Sequence, residues 1–167
     1  MILPDVLDHG LKVVFCGYAT GTLSAKKRCY YANPENLFWP TLHAIGLTDR
    51  VIEPCKFRDV LQYGIGLTDL AKNSYGPNDK IPLEDIDASG FKRKVDEFRP
   101  RVVAFNGYRT AEWVLPSPIR YGKHSKQLHG ADCFVLHSTS SRVEASWSGE
   151  DWFELANHVL KIQLGSN

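Results

Sequence analysis

Two short stretches place reactive side chains at the ends of apolar runs. The first is Gly17-Tyr18-Ala19-Thr20-Gly21, directly after Lys12-Val13-Val14-Phe15. Glycines at 17 and 21 would let the backbone approach a ligand closely and adopt positive φ. Such a loop can turn backbone N–H groups toward an anion. It lacks the Lys-Ser/Thr pair of a P-loop and the spacing of G-x-G-x-x-G, so a tight turn is the competing explanation. Where a catalytic acid, amide or imidazole would be expected, the chain offers Ala19. The second stretch is Leu136-His137-Ser138-Thr139-Ser140-Ser141-Arg142. Histidine is the residue type that changes charge near neutral pH, and His137 is either such a group or a structural one. The hydroxyls after it suit phosphate oxygens, and Arg142 adds a long, rigid cation. A serine-rich surface turn would show the same composition.

The elements that must carry these groups follow from periodicity. Leu11–Tyr18, Arg101–Asn106 and Asp132–His137 are short, apolar, β-branched runs that read as buried strands. Ser89–Phe98 reads as a helix with Phe91, Val95 and Phe98 on one face, capped by Ser89 and stopped by Pro100. Phe57–Tyr63 fits a helical turn or a strand. Gly107 opens a turn into a short helix over Thr110–Val114. The last helix starts at Ser148, with Asp151 three residues on in capping-box spacing and Trp152, Leu155, Val159 and Ile162 on its apolar face. Alternating strands and helices predict an α/β fold with a largely parallel sheet covered on both faces. Ligands bind such sheets beyond the carboxyl ends of the strands. Those ends are Gly17–Leu23, Asn106–Arg109 and His137–Arg142. No linker or repeat interrupts the chain, so residues 1–167 are expected to form one domain.

With 43% hydrophobic and 23% charged residues and a net charge of +1, the composition fits a soluble globular protein. No apolar run is long enough to span a bilayer, and Met1–Gly10 lacks the pattern of a signal peptide. A cytosolic protein without a membrane partner is expected. The net charge decides nothing about nucleic acid, because local clusters matter more than the sum. Such clusters occur at Lys26-Lys27-Arg28, at Lys92-Arg93-Lys94 with Arg99 and Arg101, and at Arg120, Lys123, His124 and Lys126. Cys16, Cys29, Cys55 and Cys133 show no C-x-x-C spacing and are expected to be reduced structural residues, with no metal site.

Three pieces in order resemble the uracil-DNA glycosylase superfamily, most closely its mismatch-specific uracil- and thymine-DNA glycosylase branch. Asn33-Pro34-Glu35-Asn36-Leu37-Phe38-Trp39 is similar to that branch's N/H-P-x-N-x-F-W segment. Ser138-Thr139-Ser140-Ser141-Arg142 resembles its late serine-arginine loop, and Val103-Ala104-Phe105-Asn106-Gly107 resembles a strand and turn of the thymine enzymes. The resemblance implies a three-layer α/β/α sandwich and a partner in DNA containing uracil, with uracil as product. It implies action as a monomer, without cofactor or metal. By the same resemblance, Phe38 stacks on the flipped base, and the main chain of Tyr18 holds a base carbonyl. Ser138, Thr139, Ser140 and Ser141 grip phosphates, and Arg142 wedges into the duplex. Two positions depart from the branch. Ala19 replaces the asparagine that positions water, and His137 replaces a proline, as in other branches whose histidine binds the departing base.

Cleavage of a uracil N-glycosidic bond places positive charge on the sugar and negative charge on the base. Preorganised donors at the base supply a large share of such catalysis. Backbone N–H groups near Tyr18 together with His137 could do this. Water must still be oriented, and a carboxylate would help; Asp69 in Gly66-Leu67-Thr68-Asp69-Leu70, which resembles the G-F-T-N-M segment of the thymine enzymes, is expected to position water, to read the base, or to cap a turn. Asn106 either reads the base edge through its amide or holds its own turn. Tyr30 and Tyr31 would narrow the pocket against a 5-methyl group. No lysine falls in the matched loops, so a monofunctional enzyme that leaves an abasic site is expected. The alternatives are a non-catalytic DNA-binding relative, a nucleoside-processing enzyme, or a glycosylase for hypoxanthine, xanthine or thymine.

Overall fold

The computed structural model describes residues 1–140 and 149–162. Its strands are β1 (Val13–Thr20), β2 (Ile65–Tyr75), β3 (Val102–Asn106), β4 (Gly122–Lys123) and β5 (Asp132–Leu136). The helices are α1 (Thr22–Lys27), α2 (Phe38–Ala44), α3 (Ala88–Phe98), α4 (Tyr108–Glu112) and α5 (Glu150–Leu160). The sheet order is β2-β1-β3-β5-β4. The first four are parallel, and β4 pairs antiparallel with β5.

Every residue of β3 is buried, and so is nearly all of β5. That is why these segments read as unbroken apolar runs: both faces of the sheet are covered. On one face Phe15, Leu67, Ala104 and Phe134 pack against Leu42 of α2 and Trp152, Leu155 and Val159 of α5. Trp152 lies parallel to Phe15, with ring centroids 5.7 Å apart. On the other face Cys16, Leu70, Val103, Phe105 and Val135 meet Phe91 and Val95 of α3 and Ala111 of α4. The fold is the expected three-layer α/β/α sandwich. The chain leaves β1 for β2 on one side and returns to β3 on the other. The direction of winding therefore reverses between β1 and β3, where an open α/β sheet forms its ligand crevice.

Several local expectations are corrected. Pro54–Tyr63 is a run of 3₁₀ turns, and the strand follows it as β2. Asp87, not Ser89, caps α3 by accepting from the Gly90 N–H at 2.8 Å. The last helix begins at Glu150 after Gly149, whose φ of 77° suits glycine. Ser148 lies outside the described residues, and Asp151 turns inward rather than completing a cap. Cys29 and Cys55 are joined in a disulfide, with their Cα atoms 4.9 Å apart. The fold closes this 26-residue separation by bringing the end of α1 to the start of the 3₁₀ run, and no local spacing signals it. Cys16 and Cys133 are free and buried, as expected.

The N-terminal segment runs along the outer edge of β2. Val6 and Leu67 exchange backbone hydrogen bonds at 2.9 Å each, and the Ile2 N–H donates to the Lys72 carbonyl at 2.7 Å. Asp5 binds Lys72 at 2.8 Å and Lys94 at 2.7 Å, and accepts from Thr68 Oγ1 at 2.6 Å. Burial alone would push the Asp5 carboxyl up, but the lysines and Thr68 together hold it below its ordinary value. Among the described residues, no helix is long and apolar enough to cross a membrane.

Candidate active site

The carboxyl ends of β1, β3 and β5 open into one cleft of about 1070 Å³. Tyr18, Asp69, Asn106, His137, Ser138, Thr139 and Ser140 all line it. Ser141 and Arg142 lie outside the described residues, so their expected phosphate and wedge roles rest on the sequence alone.

Gly17–Thr20 is strand rather than loop, because β1 runs through to Thr20, and Gly21 leads into α1. Neither glycine takes positive φ: Gly21 sits at −68°, and a side chain there would meet open space. Gly17 is needed for close approach instead. A Cβ on it would fall 2.5 Å from Asp69 Oδ1 and 3.2 Å from Tyr31 Oη. The ladder to β3 stops at Cys16, while that to β2 continues past Tyr18 to Ala19 and then shifts register at Thr20. Beyond Cys16 the main chain of β1 therefore has a strand on one side only, which leaves the Tyr18 backbone at the cleft.

Asp69 lies directly across from Gly17 in the parallel ladder, in the floor of the cleft. It is 5% exposed and accepts a hydrogen bond from Thr20 Oγ1 at 3.2 Å. Burial raises its pKa to about 6, against the opposing pull of Lys72 and the Thr20 hydroxyl. A carboxylate kept out of water but able to ionise near neutrality suits a proton acceptor.

His137 directly follows the end of β5 and also lines the cleft. With β1 and β3 between them, β2 and β5 are separated by roughly 14 Å, three strand spacings. The His137 backbone N–H donates to Asp151 Oδ2 at 2.5 Å, and ring Nδ1 lies 3.1 Å from the same oxygen. Tyr121 lies flat on the imidazole, with centroids 3.6 Å apart and planes 11° from parallel. Trp152 Nε1 donates to the His137 carbonyl at 2.9 Å.

The aromatic expected to stack on a base is placed differently. Phe38 is 0% exposed, and Tyr31 stacks on it with ring centroids 3.9 Å apart. Tyr31, and not Phe38, lines the cleft. Its hydroxyl is buried with no hydrogen-bond partner among the described residues. Burial, reinforced by Asp69, pushes its pKa up, while the Asn106 amide opposes this without reaching hydrogen-bond geometry. Tyr30 is 2% exposed and donates to the Pro4 carbonyl at 2.9 Å. Trp39 is a core residue, its Nε1 donating to the Tyr30 carbonyl at 2.9 Å.

Asn106 is committed to the late loop. Its Nδ2 donates to Thr139 Oγ1 at 2.9 Å, and its Oδ1 accepts from the Thr139 N–H at 3.0 Å. The Thr139 carbonyl in turn accepts from the Leu37 N–H at 2.9 Å. Asn106 thus ties the hydroxyl-rich loop to β3 and to the Phe38–Trp39 segment, while it also lines the cleft. Sequence reasoning missed Asp151 and Tyr121. Nothing marks Tyr121, and the spacing of Asp151 from Ser148 imitates a capping box. Lys26 also lines the cleft, from α1 and outside the matched loops. Among the described residues no three His, Cys, Asp or Glu side chains converge as metal ligands would.

The sequence matches the uracil DNA glycosylase superfamily over residues 4–161. Among solved structures it is similar to the solution NMR structure of a provisionally assigned uracil DNA glycosylase from Methanosarcina acetivorans. The two share 25% identity over 95% of each chain, with a TM-score of 0.62. A match over nearly the whole length agrees with a parallel sheet whose strand ends hold the cleft: the chain belongs to the uracil DNA glycosylase superfamily.

Proposed function

We propose that this protein is a monofunctional DNA glycosylase that hydrolyses the N-glycosidic bond of uracil in DNA and leaves an abasic site. The observation that carries the proposal is that Asp69 of β2 and His137 after β5 line one cleft, with β1 and β3 between their strands. The uracil nucleotide leaves the duplex and enters this cleft. As the bond to C1′ breaks, its electron pair departs with the base. His137 donates a hydrogen bond to the base oxygen on which negative charge builds. Asp69 accepts a proton from the water that attacks C1′, and its charge also favours the cationic sugar. The backbone near Tyr18 binds a base carbonyl, and Ser138–Ser140 bind flanking phosphates. Tyr31 supplies the aromatic surface beside the base and the limit on a 5-methyl group. The protein acts as a monomer in base excision repair in the cytosol or nucleoid, with no cofactor.

The width of the cleft supports a second reading, in which the base is a deaminated purine, hypoxanthine or xanthine. About 1070 Å³ leaves room for two fused rings. One experiment separates the readings: base release from single- and double-stranded oligonucleotides carrying uracil, hypoxanthine, xanthine or thymine. Release of uracil in preference to the others is expected. Release of purines only would transfer the mechanism to the second reading, and tight binding without release of any base would refute the enzyme proposal.

A further inference from the structure

We propose that Tyr121 and Tyr108 form a stacking subsite at the rim of the cleft for an unpaired nucleobase next to the flipped nucleotide. The inference rests on reading the cleft as a DNA site, and not on which base is released. Tyr108 opens α4 directly after the end of β3, and Tyr121 stands just before β4. Both line the cleft, yet 37% of Tyr108 and 47% of Tyr121 remains exposed. Single apolar side chains scattered over a surface need no explanation. Here two aromatic rings lie side by side, with centroids 5.7 Å apart, at the mouth of a binding cleft.

The pair is held in place before any ligand arrives. The Tyr108 hydroxyl donates to the Ile119 carbonyl at 3.1 Å, which ties α4 to the segment carrying Tyr121. Tyr121 lies against the His137 imidazole at 3.6 Å, 11° from parallel, so one of its faces is taken. The Tyr108 ring meets it at 57°, and among the described residues no second ring lies parallel on the other face. The exposure of Tyr121 therefore belongs to its free face and its edge. Tyrosine gives a broad, rigid surface at low conformational cost, and every base has a face to set on it.

Stacking distances set the register with the proposed reaction. A base on the free face of Tyr121 lies about 7 Å from the imidazole plane, two stacking separations. His137 is the group placed at the departing base, so this second base is the next one along the strand. Arg109 follows Tyr108 on α4 and lines the same cleft, a cation for the phosphate between the two nucleotides. Exposed Arg120 directly precedes Tyr121 and brings one of the basic clusters of the sequence to this edge. Glu112 of α4 also lines the cleft, so stacking rather than net charge carries the site. In a duplex the neighbour of a flipped nucleotide stays paired and stacked within its own helix. Only an unpaired strand can lay that base on tyrosine, so the rim favours single-stranded DNA over intact duplex.

Fluorescence anisotropy with the full chain tests this. The probe is an oligonucleotide with a tetrahydrofuran abasic site, which has no base to release, in single- and double-stranded form. A second tetrahydrofuran then replaces the base on its 5′ or its 3′ side. For the wild type, loss of one of these flanking bases is expected to weaken single-strand binding about tenfold, as for one base stacked on one aromatic ring. Tyr121→Leu should lose the same factor on the first probe and nothing further when that base is absent. Tyr121→Phe keeps the ring and should bind as the wild type does, and duplex binding should be indifferent to all these changes. A wild-type scan that is flat on both sides overturns the subsite without any substitution. So does a Tyr121→Leu loss that persists undiminished whichever flanking base is missing. Base release from the same sequences, with uracil or hypoxanthine at the target position, separates the two readings. Release with a flat scan removes the rim alone, and a coupled scan without release removes the glycosylase and leaves the rim.

Discussion

Replacing Asp69 by asparagine sets stability against activity. The carboxyl is buried against Gly17, and its pKa rises from 3.8 to about 6 on folding. Between those values the folded state binds more protons than the unfolded state, so stability falls as pH rises through that window and stays low above it. At about 1.4 kcal/mol per pH unit, the ionised side chain costs the fold about 3 kcal/mol at pH 7.5. Asparagine never ionises and still offers an oxygen to the Thr20 hydroxyl, so Asp69→Asn should recover much of that energy. An allowance of about 1 kcal/mol for a poorer hydrogen bond leaves about 2 kcal/mol. In a chain of this size that raises Tm by about 4–8 °C. At pH 4, where the wild-type group is largely protonated, the gain should vanish. Base release at pH 7.5 should fall ~10²–10⁴-fold, the usual effect of removing a proton acceptor. The wild-type rate should also rise with pH through about 6 as Asp69 ionises. Thermal melts at pH 4 and 7.5, paired with single-turnover assays, provide the check. A variant equally destabilised at both pH values, or one that keeps its activity, would refute the placement of a strained, working carboxylate in the cleft floor.

Tyr31→Phe deletes a buried hydroxyl that lacks a hydrogen-bond partner among the described residues. Stability should hold or rise by up to about 1 kcal/mol in denaturant titrations, while base release slows; a clear loss of stability would mean that the hydroxyl is satisfied. Asn106→Ala breaks the reciprocal pair with Thr139. It should destabilise the fold by about 1–3 kcal/mol and weaken DNA binding measured by anisotropy, because the hydroxyl loop loses its tie to β3. Cys55→Ser opens a closed loop of 26 residues. A loss of roughly 3–4 kcal/mol is expected, and wild type melted in reductant should match the variant.

The strands β1, β3 and β5 and their end-of-strand site were legible because a sheet covered on both faces demands continuous apolar runs. β2 was hidden by its sequence, Ile65-Gly66-Leu67-Thr68-Asp69, which has turn chemistry at both ends. Gly66 is accommodated there because the N-terminal segment packs over it: a Cβ would fall 2.7 Å from the Val6 carbonyl oxygen. Asp69 was found through resemblance while its strand was not. Tertiary stacking was not readable either. Phe38 and Tyr31 are both aromatic, and only the fold determines which covers the other. Asp151 shows the same limit. Spacing made it a helix cap, whereas Gly149 starts the helix and frees its carboxylate for His137.

The N-terminal segment along β2 makes the first seven residues an electrostatic component of the site, although only Leu3 among them lines the cleft. Asp5 neutralises Lys72 and Lys94, and both lysines and Asp5 act on Asp69. Deleting this segment would uncover the hydrogen-bonding edge of β2, a template for pairing with other chains. It would also leave the two lysines without their carboxylate, drawing Asp69 toward the ionised state. A shortened protein should therefore aggregate more readily and work at lower pH than the intact one, so remote trimming of the chain becomes a means of tuning its acid limit.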